Sequence, residues 1–318
     1  MLKTIFAGSS EFGLVALARL RDAVSELLVV SQPDRPSGRR LRPQPCPVAA
    51  YASQHGLDLF QPQDINAPGS LQVIRNFGPQ LIVTASYGGL LRRELRRLPG
   101  CGTLNLHPSL LPQYRGATPI QSALLEGAER TGVSIFRLSA RLDAGPIYSQ
   151  AALDIDTDDN FSTLQDKLAA LAADLLLVLL PRLERGEAEA RAQDQSQATH
   201  TAKFGPSDLQ LDFAQPAVQV RNRIRAFALT PGAHTCWRGR QLKILAARLT
   251  GKLANGKPGT LAEERDPLGF RVNCADTQLL ITLVQPAGKH IMPAPDFARG
   301  ARFAPAEGFG TQLPQPPA

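Results

Sequence analysis

The sequence LKTIFA occupies residues 2–7, and two runs of the same kind follow it, ELLVVS at 26–31 and QLIVTA at 80–85. Each run is short and apolar, and a helix-like stretch follows the first one as far as Ala23. An alternation of such runs with helical patterns is typical of βαβ units, whose strands pair in parallel in one sheet. The chain is therefore predicted to begin with an α/β domain of Rossmann-like, parallel-sheet architecture. Ligand chemistry in such a domain gathers at the carboxyl ends of the strands.

The pattern changes along the chain and divides it. Further strands are predicted at CGTLNLH (101–107) and GVSIFRLS (132–139), and a helical pattern then runs from Phe161 to about Arg185. After a polar stretch, short strands separated by Gly and Pro follow one another, which is typical of a small barrel or sandwich. The predicted division is a first domain at 1–188, an interdomain linker at 189–206 and an all-β second domain at 207–318.

Length and composition limit the class of protein. With 318 residues the chain exceeds the usual size of one domain, which favours two domains. Its 43% of hydrophobic and 20% of charged residues are ordinary for a folded protein and exclude a disordered or fibrous one. A packed enzyme or binding protein is expected.

The spacing of the cysteines bears on disulfides and metal sites, and the N-terminus and apolar runs bear on cellular location. The four cysteines lie far apart without a C-x-x-C pair, so neither a disulfide framework nor a zinc site is expected, and no other metal site is predicted. The N-terminus lacks the basic stretch and cleavage site of a signal peptide, which favours a cytoplasmic protein. The longest apolar stretch, near 168–180, contains Asp174 and ends at Pro181, so it is predicted to be a buried helix and not a membrane span.

Positive charge is concentrated in the second half of the chain. Residues 204–318 hold 14 Lys and Arg against 8 Asp and Glu, a charge of +6 out of the net +7. An enzyme with an attached polyanion-binding module would show this distribution. A generally basic protein is the alternative on charge alone.

The segment 31–47 is rich in proline and arginine. Its five prolines and one glycine predict a long loop without regular structure. Long loops in compact domains are usually functional or disordered. The loop carries Arg35, Arg39, Arg40 and Arg42 against the single Asp34. It is interpreted either as a solvated, flexible loop or as a contact for RNA phosphates.

The residues with the clearest chemistry lie in NLHPSLLP (105–112). Asn105 and His107 are two apart on a predicted strand, so they face the same side at its carboxyl end, just before Pro108. An Asn amide can donate to a carbonyl oxygen, and a His near its pKa can give or take a proton. A structural pair at a sheet end is the alternative.

Asp143 follows another predicted strand, in LDAGP (142–146). At that strand end its carboxylate can reach His107, raise the pKa of the imidazole and orient the ring. Asn, His and Asp without an activated Cys or Ser fit direct transfer of an acyl unit to an amine better than covalent catalysis.

These motifs carry a resemblance to a known family. N-x-H-P-S-L-L-P followed by Y-R-G and by L-D-A-G-P is similar to the catalytic core of the 10-formyltetrahydrofolate-dependent formyltransferases. Over nearly the whole chain the sequence resembles the branch that formylates methionyl-tRNA. The motifs that carry this finer likeness are FAGSSEF (6–12), QPDRPSGRR (32–40), ASYG (85–88), IRAF (224–227), PGTL (258–261) and QPAGK (285–289).

The resemblance implies roles for the three residues. Asn105 would donate to the formyl oxygen, His107 would assist proton transfer, and Asp143 would orient His107 and help to remove the amine proton. The formyl donor would be 10-formyltetrahydrofolate, with no metal required. Its implied binding residues are Ser109, Leu110, Leu111 and Pro112, with the pterin near Ala85, Ser86, Tyr87 and Gly88.

The resemblance also implies a partner, the aminoacylated initiator tRNA, whose formylmethionyl product serves translation initiation. The second domain would be an oligonucleotide-binding (OB-type) barrel, and the protein is expected to be a monomer. The candidate tRNA contacts are Arg35, Arg39, Arg40 and Arg42, together with Arg221 and Arg225 on a predicted helix. A solvated helix face is the alternative for the last two.

Two other functions are compatible with part of the sequence. A formyltransferase acting on a small amine, such as glycinamide ribonucleotide or an amino sugar nucleotide, would share Asn105, His107 and Asp143 but would need neither the arginine-rich segment nor a basic second domain. A non-catalytic RNA-binding protein would explain the charge but not the intact set of three.

Overall fold

The computed structural model describes residues 1–37, 42–264, 266–304 and 307–310. Two compact units are present. The first unit combines Met1–Pro119, Arg130–Asp154 and Gln165–Thr201. The second unit combines Ile120–Glu129, Ile155–Leu164 and the chain from Ala202 onward. Each unit is therefore built from three separate stretches of the chain. The predicted division at 188 and 206 assumes one continuous stretch for each domain and does not describe this.

The first unit is an α/β domain, as predicted. Its strands are β1 (Lys3–Gly8), β2 (Glu26–Val30), β3 (Arg35–Ser37), β4 (Arg42–Gln44), β5 (Asp58–Phe60), β6 (Leu81–Ala85), β7 (Thr103–His107), β8 (Arg115–Gly116), β9 (Arg130–Arg137), β10 (Ile147–Asp154) and β11 (His200–Thr201). The helices of the chain up to this point are α1 (Leu14–Leu20), α2 (Pro47–Gln54), α3 (Pro68–Phe77), α4 (Arg93–Arg97), α5 (Pro119–Glu126) and α6 (Phe161–Glu184).

The main sheet of this unit has seven strands in the order β10-β9-β7-β6-β1-β2-β5. The five strands from β7 to β5 pair in parallel, while β9 and β10 add antiparallel pairs beside β7. Every residue of β6 is buried, which explains its continuous apolar sequence, since parallel sheets are covered on both faces. Full burial of each Leu or Ile side chain stabilises the unit by about 1.5–3 kcal/mol.

The segment 31–47 is not free of regular structure, so that prediction was wrong. Strands β3 and β4 form a two-stranded antiparallel sheet in which Pro36 lies opposite Pro43. Alternate pairs of such a ladder form no backbone hydrogen bonds, so prolines at one of these pairs remove no donor that the ladder needs. Residues 38–41, with Arg39 and Arg40, lie outside the described residues.

The predicted linker at 189–206 also differs from the structure. Strand β11 pairs in parallel with β8, with His200 opposite Arg115. Arg191 exchanges backbone hydrogen bonds with Ile147, both at 2.8 Å. Most of the segment is therefore a packed part of the first unit. Its polar composition concealed these contacts, because polar side chains and backbone groups make them.

The second unit contains an antiparallel sheet with strands β12 (His234–Trp237), β13 (Arg240–Leu253), β14 (Phe270–Asn273), β15 (Thr277–Pro286) and β16 (Met292–Pro293). The order is β12-β13-β15-β14, and β16 pairs with β15. The unit is not all-β as predicted, because α7 (Ala217–Ala226) and α8 (Ala294–Ala301) belong to it. Helix α7 is the one predicted to carry Arg221 and Arg225. Among the residues that the structure describes, no helix is both long and apolar enough to cross a membrane.

Candidate active site

Asn105 and His107 lie at the carboxyl end of β7, as predicted. Strand β7 pairs with β6, which places Asn105 opposite Thr84. Asn105 is half-buried, while His107 is only 4% exposed. The two side chains therefore share one face at the sheet edge, where the loops after β6 and β7 also begin.

Thr84 fixes the amide of Asn105. Its hydroxyl lies 2.7 Å from Asn105 Oδ1 and 3.0 Å from the backbone carbonyl oxygen of Leu104, so its one hydrogen is shared between these two acceptors. With Oδ1 used in this way, the Nδ2 hydrogens are the part of the amide available to a carbonyl oxygen of a substrate. The sequence analysis did not identify Thr84, because the strand register that pairs it with Asn105 joins residues 21 apart and leaves no local signal.

Thr84→Val is expected to lower kcat by about 10-fold, because the Asn105 amide loses the bond that orients it. The matched control is Thr103→Val, which also removes a buried hydroxyl bonded to a backbone carbonyl, that of Leu95. Each change should lower the free energy of unfolding by about 1 kcal/mol. Steady-state kinetics and denaturant unfolding measure both quantities, and equal kcat values in the two variants would contradict the role of Thr84.

His107 is oriented by a backbone carbonyl. Its Nε2 lies 3.0 Å from the carbonyl oxygen of Tyr114, and since a carbonyl only accepts, Nε2 carries the proton. Nδ1 lies 3.9 Å from Asp143 Oδ2, beyond hydrogen-bond distance. The prediction that Asp143 orients the ring is therefore corrected, and the Tyr114 carbonyl does so. The neutral ring presents an unprotonated Nδ1 toward the carboxylate.

The pKa of His107 lies below its ordinary value. Burial lowers it, and this effect outweighs the rise caused by the Asp143 carboxylate and by the bond to Tyr114. The predicted effect of Asp143, a rise in the pKa, is therefore confirmed in direction, but burial outweighs it and the net shift is downward. The imidazole is neutral at pH 7 and able to accept a proton.

Histidine ring resonances in labelled protein should show His107 titrating below pH 6.5. Asp143→Asn should move that midpoint further down, because the carboxylate raises the pKa of His107 and the amide does not. The resonance of His234, whose lowered pKa has no contribution from Asp143, is the internal control. An upward shift of the His107 midpoint in the variant would contradict this account.

Asp143 sits in a narrow turn. Its φ is 48°, in the left-handed region, and its Oδ2 accepts from the backbone N–H of Gly116 at 2.8 Å. Gly145 can only be glycine, because an added Cβ would lie 1.8 Å from the Arg137 carbonyl oxygen. The backbone thus holds the carboxylate at one place beside His107.

The loop after β7 contains the predicted folate contacts Ser109–Pro112. Ser109 and Leu111 are buried, while Leu110 and Pro112 are half-buried. The Ser134 hydroxyl donates to the Ser109 carbonyl at 2.6 Å, and Gln150 Nε2 donates to the Leu111 carbonyl at 2.9 Å. Side chains of β9 and β10 thus hold the backbone of this loop. Leu110 and Pro112 are its more accessible apolar side chains.

The loop after β6 contains the other predicted folate contacts. Ala85 and Tyr87 are buried, and the Tyr87 ring packs in the apolar core with Ile5. Burial raises the pKa of Tyr87 to about 12. Ser86 and Gly88 are exposed and have φ of 48° and 81°. The loop therefore presents backbone groups, while the ring of Tyr87 supports it from within.

The predicted tRNA-contacting arginines occupy different settings. Arg35 is exposed, and its Nη2 donates to Gln32 Oε1 at 3.3 Å. Arg39, Arg40 and the side chain of Arg42 lie outside the described residues. Arg221 donates to the carbonyl of Thr157, and Arg225 to those of Asp156 and Asp159. The guanidinium groups of Arg221 and Arg225 thus hold this segment of the second unit, and the tRNA contact predicted for them stays a prediction.

Both parts of the chain match one class of enzyme. Residues 3–180 match the formyl transferase family, and residues 203–302 match the formyl transferase C-terminal domain. The two matches together identify the protein as a formyl transferase.

Individual relatives narrow the class. A methionyl-tRNA formyltransferase of Thermus thermophilus is 40% identical over 99% of this chain and 100% of its own length. One from Roseiflexus castenholzii is 38% identical over 97% and 99% of the two chains. HypX from Aquifex aeolicus, solved in complex with tetrahydrofolic acid, shares the fold with a TM-score of 0.64 at 17% identity, over 93% of this chain and 47% of HypX. The chain belongs to the methionyl-tRNA formyltransferase family.

Proposed function

We propose that this protein transfers the formyl group of 10-formyltetrahydrofolate to the α-amino group of methionyl-initiator tRNA. The observation that carries the proposal is the meeting of Asn105, His107 and Asp143 at one edge of the sheet, in a chain that matches this family over 99% of its length. An amide donor, a neutral imidazole and a carboxylate are the groups that acyl transfer to an amine needs.

The loops beside these residues fit a reduced folate. A pterin needs apolar walls and backbone donors and acceptors. Leu90 is 76% exposed just beyond Gly88, and Leu110 lies in the neighbouring loop after β7. Ser86 and Gly88 expose their backbone in left-handed conformations at the same sheet edge. We propose that these two loops, Ala85–Gly88 and Ser109–Pro112, hold the folate.

In 10-formyltetrahydrofolate the formyl carbon is bound to a folate nitrogen. Transfer breaks that bond and forms one to the amine nitrogen, and the proton that the amine loses is passed to the departing folate nitrogen. Asn105 donates from Nδ2 to the formyl oxygen as negative charge develops there. Thr84 holds the amide in this orientation before the substrate arrives, so little reorganisation is needed during the reaction.

His107 and Asp143 take the proton of the amine. The α-amino group is partly protonated at neutral pH and attacks only when it is free of that proton. Nδ1 of neutral His107 and the Asp143 carboxylate, 3.9 Å apart, are both acceptors, so an N–H group between them has two places to donate. The low pKa of His107 keeps Nδ1 able to accept at pH 7.

The second unit is proposed to bind the acceptor stem through phosphates. The +6 charge of residues 204–318 supports this role. An OB-type barrel is proposed for its sheet, supported by isolated bridges that link β14 back to β12. These bridges are Val272 to Leu261, Thr260 to Gly308, and Gly310 to Cys236. Arg35, Arg39, Arg40 and Arg42 of the first unit are proposed as the second contact with the tRNA.

Charged initiator tRNA should be formylated at least about 100-fold faster than glycinamide ribonucleotide or an amino sugar nucleotide, because only the tRNA engages the basic surfaces. The measurement is incorporation of labelled formyl from 10-formyltetrahydrofolate into each acceptor. Faster formylation of a small amine would overturn the proposal.

Activity should persist in a metal chelator, since no group of three metal-ligating side chains occurs in the described part of the chain. We propose that the active protein is a monomer.

A further inference from the structure

A buried glutamine holds the turn that carries Asp143. Gln193 is 8% exposed, and its Nε2 donates to the carbonyl oxygens of Asp143 at 2.8 Å and Gly145 at 2.7 Å. An amide nitrogen has two hydrogens, so both are used on this one turn. The left-handed backbone of Asp143 is thus fixed on both sides of Ala144.

Arg115 fixes the orientation of the Gln193 amide. Arg115 is also buried, and its Nε and Nη2 donate to Gln193 Oε1 at 3.1 and 2.5 Å. Its Nη1 donates to Gln195 Oε1 at 2.9 Å. Because a guanidinium only donates, Oε1 of Gln193 must face it, and Nε2 must then face the turn.

The neighbours of Arg115 contact both proton-accepting residues. The carbonyl of Tyr114 accepts from His107, and the N–H of Gly116 donates to the Asp143 carboxylate. Residues 114–116 are in turn held by the segment 193–201. Tyr114 N donates to Thr199 Oγ1 at 2.8 Å, and β8 pairs with β11. His107, Asp143 and Gln193 therefore belong to one connected set of hydrogen bonds within the first unit.

We propose that Gln193 is a positioning residue of formyl transfer, which acts by holding the Asp143 carboxylate at its place beside His107. It does not touch the reacting atoms, and it acts through the backbone of the turn. The inference rests on the proposed function, since it assigns Gln193 to the step in which Asp143 takes the amine proton.

Two replacements separate the contacts of Gln193. Gln193→Met removes its bonds to Arg115 and to the turn. Gln193→Glu keeps an acceptor for Arg115 but sets a carboxylate oxygen against the two carbonyls in place of their donor. Both should lower kcat by about 100-fold, the cost of a misplacement of about 1 Å, with KM for tRNA and folate unchanged. Gln197→Met is the matched control, because Gln197 is exposed and donates to Asp194 in the same segment.

Single-turnover rates of Gln193→Met and Gln193→Glu in an Asp143→Ala background are the decisive measurement. If Gln193 acts through Asp143, neither change should lower the residual rate further, because the group being positioned is gone. A further loss in that background, or a wild-type rate for Gln193→Glu, would overturn the inference. Gln193→Glu decides alone if the methionine variant does not fold. Absence of tRNA formylation by the wild-type protein would instead overturn the proposed function.

Discussion

Alanine in place of Asn105, His107 or Asp143 is expected to lower kcat by about 100- to 1,000-fold in each case. Asn105→Ala removes a preorganised donor to the formyl oxygen, and such a donor contributes a factor of about 10² to 10³. His107→Ala and Asp143→Ala each remove one of the two acceptors for the amine proton, and general base catalysis contributes about 10² to 10⁴. Single-turnover formylation of charged initiator tRNA measures the loss.

The pattern among the three variants separates their roles. Because His107 and Asp143 accept the same proton, their double variant should lose much less than the product of the two single losses. Asn105→Ala should combine with either one in a nearly multiplicative way, because it acts on the oxygen. The control is His55→Ala, an exposed histidine directly after α2. A near wild-type rate for any of the three variants would show that its assigned role is wrong.

The triple variant Arg39→Ala, Arg40→Ala, Arg42→Ala is expected to lower kcat/KM for charged tRNA by about 100-fold or more at physiological salt. Without these arginines fewer phosphates are neutralised and fewer counterions are released on binding, so the slope of log affinity against log salt should fall by about 2 to 3. Arg42 belongs to β4, which pairs with β3, and we call these two strands the hairpin. The chain just before it is held near β1, where Ser9 Oγ accepts from Gln32 N at 3.2 Å. Folate affinity should not change, because the proposed folate loops follow β6 and β7.

A charge-matched variant makes this result specific. Arg92→Ala, Arg93→Ala, Arg97→Ala removes the same charge from exposed positions at and beside α4 of the same unit. We expect it to retain most of the tRNA affinity. An equal loss in the two triple variants would mean that only net charge matters. A loss of folate affinity in the hairpin variant would mean that the hairpin supports the active site and does not bind RNA.

The sequence indicated the parts of the site that depend on local pattern. Period-two spacing and Pro108 were enough to place Asn105 and His107 on one face of a strand end. Thr84 and Gln193 were missed because their contacts depend on strand register and on a chain segment that returns to the sheet from far away. The lowering of the His107 pKa by burial was missed for a related reason, since burial is a property of the packed unit, whereas the opposing effect of Asp143 could be predicted from the sequence.

The hairpin at 35–44 shows the limit of composition as evidence. Five prolines in 31–47 argue against strands only if those prolines occupy positions whose N–H the ladder uses. The pairing of Pro36 with Pro43 avoids this, and that pairing is a matter of register. In the second unit the strands were visible as short runs and α7 was predicted around Arg221 and Arg225, whereas α8 was missed because it lies between stretches rich in turn residues.

The two units are built from alternating stretches of the chain, and this has a consequence for folding during synthesis. Ribosomes release the N-terminal part of a chain first. Ile120–Glu129 and Ile155–Leu164 therefore leave the exit tunnel well before the sequence from Ala202 onward that completes their unit. Ile120 and Leu124, which are buried in the finished protein, belong to the unit that is completed last. The second unit is thus expected to fold only after translation ends, and a nascent chain stalled near Thr201 should bind chaperones through these two segments.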